Sequence, residues 1–284
     1  MTNWLSIEMR LVFVVGLYVL LISIEAIIPL VRFRERRLSR TFPNLGLTAL
    51  VLLTNLALSF TAAWLSTFVV SHRIGLLFVV AIPEWAGVLA GVIVLDLGAY
   101  AAHVLLHKTD FGWRSHRVHH SESEVDVTTA LRQHPFESLW RIAWQLPAIA
   151  LLGLPMTTVL FYLVLSAANA QFEHANIRMN KSLDRILRLI FVTPNMHKMH
   201  HSTYQPETDT NYSNIFSFWD RFFRTYTDPK NVLRIRYGLD DCAEPQTFGS
   251  LLKMPLLKPI AVSGSGPVLP HERREVRRQS SLRP

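Results

Sequence analysis

Residues 45–70 run for 26 positions without one charged side chain. A helix needs roughly 20 apolar residues to cross the hydrocarbon of a bilayer, and this segment has no polar face to turn toward water. Three more segments resemble it. Residues 11–30 carry one charge, Glu25; residues 85–106 carry one carboxylate, Asp96; residues 142–170 carry none. The 284-residue chain is 50% hydrophobic and 18% charged, against about 25% charged in soluble domains. Burying four such segments inside a soluble core needs more polar surface than the chain owns. The expected fold class is therefore all-α, built on integral membrane helices. The first segment is too long, and too weakly basic at its start, to read as a cleaved signal peptide.

The charges between the spans set an expected orientation. Arg32, Arg34, Arg36, Arg37 and Arg40 face only Glu35 in the first connection, whereas the next offers His72 and Arg73. The positive-inside rule puts the arginine loop in the cytoplasm and the N-terminus outside. The third span then returns the chain to the cytoplasm near His107. The fourth segment is long for one crossing and short for two, and Gly153 and Pro155 break its middle. A hairpin keeps the histidines before and after it on one cytoplasmic face; a single crossing separates them. The hairpin is expected, because the chemistry below requires it. Residues 74–82, ended by Pro83, read as an interfacial piece or as part of span three. Residues 251–262 read as a short apolar stretch lying on the membrane, and the arginine-rich tail from His271 as disordered. With a net charge of +8, the basic segments suit anionic lipid. No nucleic acid partner is expected, since the arginines flank spans rather than form a groove.

One cysteine, Cys242, excludes an internal disulfide framework, a four-cysteine iron–sulfur site and a multi-thiolate zinc site. Histidine takes the place of thiolate. Ten of the 12 histidines fall between His103 and His201, and three clusters stand out: His103 with His107, His116 with His119 and His120, and His197 with His200 and His201. Residues three and four apart share a helix face, so each cluster, if helical, points several imidazoles one way. For the last cluster Thr193 can cap, Pro194 suits the first helical position, and the STYQP stretch ends the helix. His174 and His134 add two more. His134 precedes Pro135, which disfavours a regular helix there, so it stands as a ligand or as a partner behind one. His72 and His271 read as solvent residues.

Imidazole is a neutral nitrogen donor suited to Fe, Zn, Cu and Ni. Eight or more imidazoles exceed the four ligands of one tetrahedral zinc. They suit two metals, each with several nitrogens and an open position. Two redox metals beside a lipid-facing pocket suggest attack on an unactivated C–H bond with O2, the metal carrying the hard step while the protein places the carbon and excludes water.

The order H103xxxH107, H116xxHH120, H197xxHH201 resembles the fatty acid hydroxylase and sterol desaturase superfamily of membrane histidine-rich di-iron oxygenases. R132-x-H134-P, the HAN around His174, N211-Y-S and the run from Phe218 to Tyr226 extend the resemblance, which covers about residues 85–228. It implies a helical anchor, a cytosolic histidine-rich metal-binding cap, O2 as co-substrate and a reducing partner. It carries metal ligation onto His103, His107, His116, His119, His120, His174, His197, His200 and His201. Where some hydroxylases have a further histidine shortly before the His174 position, Ala170 and Gln171 stand here, so His134 or water is left for a tenth place. The three-residue gap between His103 and His107 fits the hydroxylase branch better than the acyl desaturases. The chain accordingly divides into a two-span anchor with an interfacial segment (1–84), a fatty acid hydroxylase-like catalytic domain (85–228) and a C-terminal extension with a basic tail (229–284).

Asp96, Tyr100, His103 and His107 fall on one stripe. A carboxylate inside a span is costly unless it faces protein or water, so Asp96 is expected to orient an imidazole, to close the pocket floor, or to bond a neighbouring helix. Glu173, Asp209 and Asn211 are candidates to accept ring N–H bonds, and Phe218, Trp219, Phe222 and Phe223 to pack the cap onto the membrane surface. The expected activity is hydroxylation, or desaturation, of a lipid or sterol-like substrate entering from the bilayer. The expected cofactors are two Fe ions, with Zn possible in a purified sample. The chain carries no CxxCH and no GxGxxG, so electrons are expected from an external reductase, ferredoxin or b-type cytochrome. A membrane zinc hydrolase is the first rival, though no HExxH places a glutamate base. A metal transporter or sensor is the second, though its ligands would lie at mid-membrane. A lipid-binding scaffold without activity is a third.

Overall fold

A computed structural model describes residues 6–33, 37–239, 242 and 246–257. Among them the fold is all-α, with two isolated bridges, Pro29 to Ile177 and Phe191 to Phe216, and no strand. Among the described residues three helices are long and apolar enough, by length and composition, to cross a membrane. The first is α1 (Ile7–Ile27), begun by the Ser6 hydroxyl accepting the Met9 N–H. It is apolar on all sides, and its buried residues are Leu21 and Glu25. Such a helix suits a surround of lipid. Glu25 accepts the N–H groups of Val127 (2.8 Å) and Asn176 (2.7 Å), which pins the end of the span to the histidine-bearing region.

The second helix, α2 (Arg37–Ser71), has 35 residues and a length of about 52 Å, well beyond the ~30 Å of hydrocarbon. Its first turns therefore leave the apolar layer. There Arg40 is buried against Glu122 (3.4 Å), Glu124 (3.3 Å) and Asp126 (3.0 Å). This corrects the expectation that Arg40 belongs to a lipid-contacting loop: three carboxylates from one distant segment capture it. Arg34, Glu35 and Arg36 lie outside the described residues.

The third helix, α3 (Glu84–Lys108), starts after Pro83. Residues 74–82 are separate from it and hold one 3-10 turn, Leu76–Phe78. After α3 a single extended residue, Thr109, leads into α4 (Asp110–His120), and its hydroxyl caps α4 at the Gly112 N–H.

The charge-free fourth segment folds as the expected hairpin. Helix α5 (Pro135–Leu152) ends at Gly153 in the left-handed region (φ 74°), and Pro155 caps α6 (Met156–His174). The turn is tight against residues 74–78. A Cβ on Gly75, at φ 121°, would lie 2.2 Å from the Gly153 nitrogen, and one on Gly153 would lie 2.3 Å from the Ile74 oxygen. Only two glycines permit this approach. Leu95, Ile149, Leu154, Val159 and Tyr162 form the core where α2, α3, α5 and α6 meet, and α1 rests on α6.

The remaining elements close the other end: α7 (Lys181–Leu187), α8 (Pro194–His200), α9 (Gln205–Thr208), α10 (Phe218–Phe222) and α11 (Phe248–Lys253). Leu251 and Met254 bury against Leu47 and Val118. The described part of 251–262 thus packs on α2 and α4, with Leu252, Leu256 and Leu257 left exposed. The basic tail lies outside the described residues.

Candidate metal centre

Each histidine sits at the histidine-rich end of its element. His103 and His107 occupy the last turns of α3; His116, His119 and His120 occupy the last turns of α4; His174 ends α6; His197 and His200 lie on α8, with His201 as its C-cap. Helix α8 begins as its sequence predicts, with the Thr193 hydroxyl accepting the Met196 N–H and Pro194 in the first turn.

These side chains form two nests. His103, His107, His116, His120 and His200 make one; His119, His174, His197 and His201 make the other, and within each the donor atoms lie within 4.8 Å of one another. The nests adjoin, with the rings of His120 and His201 stacked at 4.5 Å. Each HxxHH motif is divided between them. His116 and His120, four apart on one helix face, serve the first nest, while His119 turns to the second. On α8 the allocation reverses: His197 and His201 serve the second and His200 the first. Neighbouring residues on a helix point about 100° apart, so two adjacent histidines cannot aim at one point but can aim at two.

Five of the Nδ1 atoms are anchored outward. His103 donates to the Tyr212 carbonyl (2.7 Å), His119 to that of Arg132 (3.1 Å), His174 to that of Ala170 (2.6 Å) and His200 to that of Thr210 (2.8 Å), while His116 donates to the Glu137 carboxylate (2.9 Å). Each bond fixes the tautomer and leaves Nε2 as a lone pair facing inward. Those lone pairs then face one another. The Nε2 atoms of His103 and His116 are 3.0 Å apart, as are those of His119 and His174; His174 and His197 are also 3.0 Å apart, and His201 lies 3.1 Å from His197. Inward nitrogens of His107, His120 and His200 have no hydrogen-bond partner. Lone pairs so close repel unless a cation sits among them. Metal–imidazole bonds of about 2.0–2.1 Å in a tetrahedron set nitrogens ~3.3 Å apart, close to these separations. The donor set fits two metal ions.

Burial, reinforced by neighbouring imidazoles, holds His119, His120, His197 and His201 well below the usual histidine range, and burial takes His200 down to about 3. These rings are neutral at pH 7, the form that binds metal.

His134 is not brought to either nest. Pro135 holds it extended as the cap of α5: its Nδ1 accepts the Phe136 N–H (3.2 Å) and its Nε2 donates to the Leu252 carbonyl (3.3 Å). Asp96 reaches no imidazole. It accepts the N–H groups of Ile215 and Phe216, the Asn214 amide and the Trp219 indole, all within 3.3 Å, and so holds the 214–219 turn against α3. Asn211 (φ 56°) ties the Met196 carbonyl to Thr227. Asp209 binds Lys108 (2.8 Å) and the Tyr212 hydroxyl (3.2 Å), and lies 3.8 Å from the His107 Nδ1. Glu173 accepts the Asn169 amide and stands 3.8 Å from the His197 Nε2. Trp219 serves Asp96, Phe223 stacks on Tyr100, and Phe222 is 74% exposed.

Glu137 escaped the sequence reading. Buried on the first turn of α5, it accepts both the His116 ring and the His134 backbone N–H (3.2 Å). Its sequence signal is the capping box of His134 and Glu137, which announces a helix start but not a bond to a remote ring.

Fold and nests together define a chain of membrane-length helices with two adjoining histidine clusters that could hold metal. Residues 88–225, 138 of the 284, match the family described as fatty acid hydroxylase. It is 33% identical over 142 residues to ornithine lipid hydroxylase OlsE of Rhizobium tropici, covering 50% of this chain and 42% of that protein. It is 28% identical over 155 residues to the alkylglycerol monooxygenase of Homo sapiens (55% and 33%) and 27% over 147 residues to that of Xenopus tropicalis (51% and 31%). The chain thus spans less than half the length of these relatives. No solved structure matches it.

Proposed function

We propose that this chain is a membrane di-iron oxygenase that hydroxylates a C–H bond of a lipid, using O2 and an external electron donor. The observation that supports it most is the pair of adjoining nests of five and four imidazoles. Two iron ions held there would supply the O2 activation that attack on an unactivated C–H bond demands. The nine histidines would hold them, and the outward Nδ1 bonds of His103, His116, His119, His174 and His200 would keep those five rings aimed. Glu173, beside the second nest, is the carboxylate placed to accept or hold a proton near it. The apolar walls of α1, α2, α3 and the hairpin would admit a lipid chain and keep water away. The names of the relatives favour a lipid substrate and hydroxylation over desaturation. The domains follow the divisions at 84 and 228, with the metal site and C-terminus cytoplasmic and the N-terminus outside.

Purified protein is expected to carry two metal ions per chain. Cells expressing it should accumulate lipids 16 mass units heavier, and His119→Ala or His200→Ala should abolish that product while the protein still inserts. Products lighter by two mass units would replace hydroxylation by desaturation. One metal per chain, or full turnover by both variants, would overturn the di-iron reading.

A further inference from the structure

Beyond the metal centre the structure holds an open cleft of about 880 Å³ whose walls carry Arg178, Lys181, Arg185, Arg188, Lys230 and Arg234. Two carboxylates, Asp184 and Asp228, share the lining, and both engage Arg188, at 3.4 and 3.1 Å. Both carboxylates of the lining are thus held by one of its six cations, Arg188. Among the described residues no ion pair engages Arg178, Lys181, Arg185 or Lys230. Such a surplus calls for an anionic ligand.

The cleft's place in the fold says which. Leu30 lines it, three residues beyond the end of α1. The Leu30 N–H donates to the Asn176 carbonyl and the Arg178 N–H to that of Ile28, so Arg178 is fixed at the end of a membrane-crossing helix. Helix α7 adds a second mark of depth. Lys181, Asp184, Arg185 and Arg188, at spacings of three and four, face the cleft. Leu183 and Ile186, on another face of α7, and Leu189 and Ile190, in the turn that follows it, are each half or more exposed. A short segment with cations on one side and bare aliphatic residues on the other lies in a membrane interface, its apolar face among acyl chains. The cations then stand at the level of the head groups.

We infer that this cleft binds the anionic head group of a membrane lipid, through phosphate or carboxylate, with the exposed face of α7 seated in the acyl layer beside it. The inference uses only the membrane placement of the proposed function, not its oxidation chemistry. An acidic soluble protein would satisfy the charge but leaves the aliphatic face of α7 unexplained.

The full chain in neutral detergent can be exposed to phosphatidylglycerol and phosphatidylcholine together, with retained lipids counted by native mass spectrometry. The protein should retain phosphatidylglycerol preferentially. Arg185→Gln with Lys230→Gln should reduce that preference by about fivefold per cation while metal content stays unchanged; Arg185→Lys with Lys230→Arg should keep it. Arg178→Gln with Lys181→Gln should repeat the loss and guards against a folding defect in the first pair. Millimolar inorganic phosphate should not displace the lipid. Displacement would assign the cleft to free phosphate. An unchanged lipid preference in both neutralised variants would overturn the proposal, as would loss of binding to an acidic ferredoxin alone.

Discussion

Glu137 shows how one side chain can govern a site it does not enter. Its carboxylate receives the Nδ1 proton of His116 and the backbone N–H of His134, coupling a ring on α4 to the start of α5. Removing such an anchor behind a ligand costs about 10–100-fold in metal affinity. Glu137→Ala should therefore weaken binding in the first nest by that factor while the second nest loads normally. A metal titration that resolves two classes of site checks this, and equal weakening of both would refute the assignment. His134 carries the opposite lesson. Its motif looks like a ligand's, but the following proline makes it a helix cap. Asp96 is similar: its stripe with His103 and His107 is real, yet the four donors it collects come from residues 214–219. Sequence periodicity reports which way a side chain leaves its helix and not what waits there.

Among the elements, the hairpin of α5 and α6 decides the chemistry. Near its start Glu137 bonds His116 and at its end His174 meets His119, so both ends come to α4, and its far turn packs on residues 74–78 through Gly75 and Gly153. On the proposed topology, three crossings followed by a returning hairpin would put the two termini on opposite sides of the membrane. Reporter tags should therefore read the N-terminus outside and the C-terminus inside; both on one side would break this topology. The break at Gly153 and Pro155 was legible within a charge-free run, while the choice of a hairpin over one crossing rested on the need to keep the histidines on one face. The depth of α2 was not. Hydropathy marks residues 45–70 and is blind to the polar turns before them, where Arg40 joins three carboxylates.

For the whole molecule, the price of gathering nine imidazoles in a dry interior is paid at low pH. Burial holds His119, His120, His197, His200 and His201 below the usual value of 6.5. Between the lowered values and 6.5, the unfolded chain binds more protons than the folded one, so stability rises with pH across that window. Its full contribution is present above about pH 6.5 and is lost as pH falls. Metal-free protein should thus melt at progressively lower temperature from about pH 7 to pH 5. Metal-loaded protein should resist until protons displace the ions. Thermal melts of both forms in detergent test this; a flat melting temperature for the metal-free form across that range would contradict it.

Local order was written in the chain: the apolar runs that demand helices, the cap of α8, the spacing that puts His116 beside His120 and His197 beside His201. Each follows from helix period and from the cost of exposing apolar surface, which act over a few residues and need no partner. The division of the histidines into two nests, the withdrawal of His134, and the anchoring of His116 by Glu137 were decided only by tertiary structure. They depend on where helices remote in sequence cross, and that is set by packing among α2, α3, α5 and α6, whose contacts no single segment encodes.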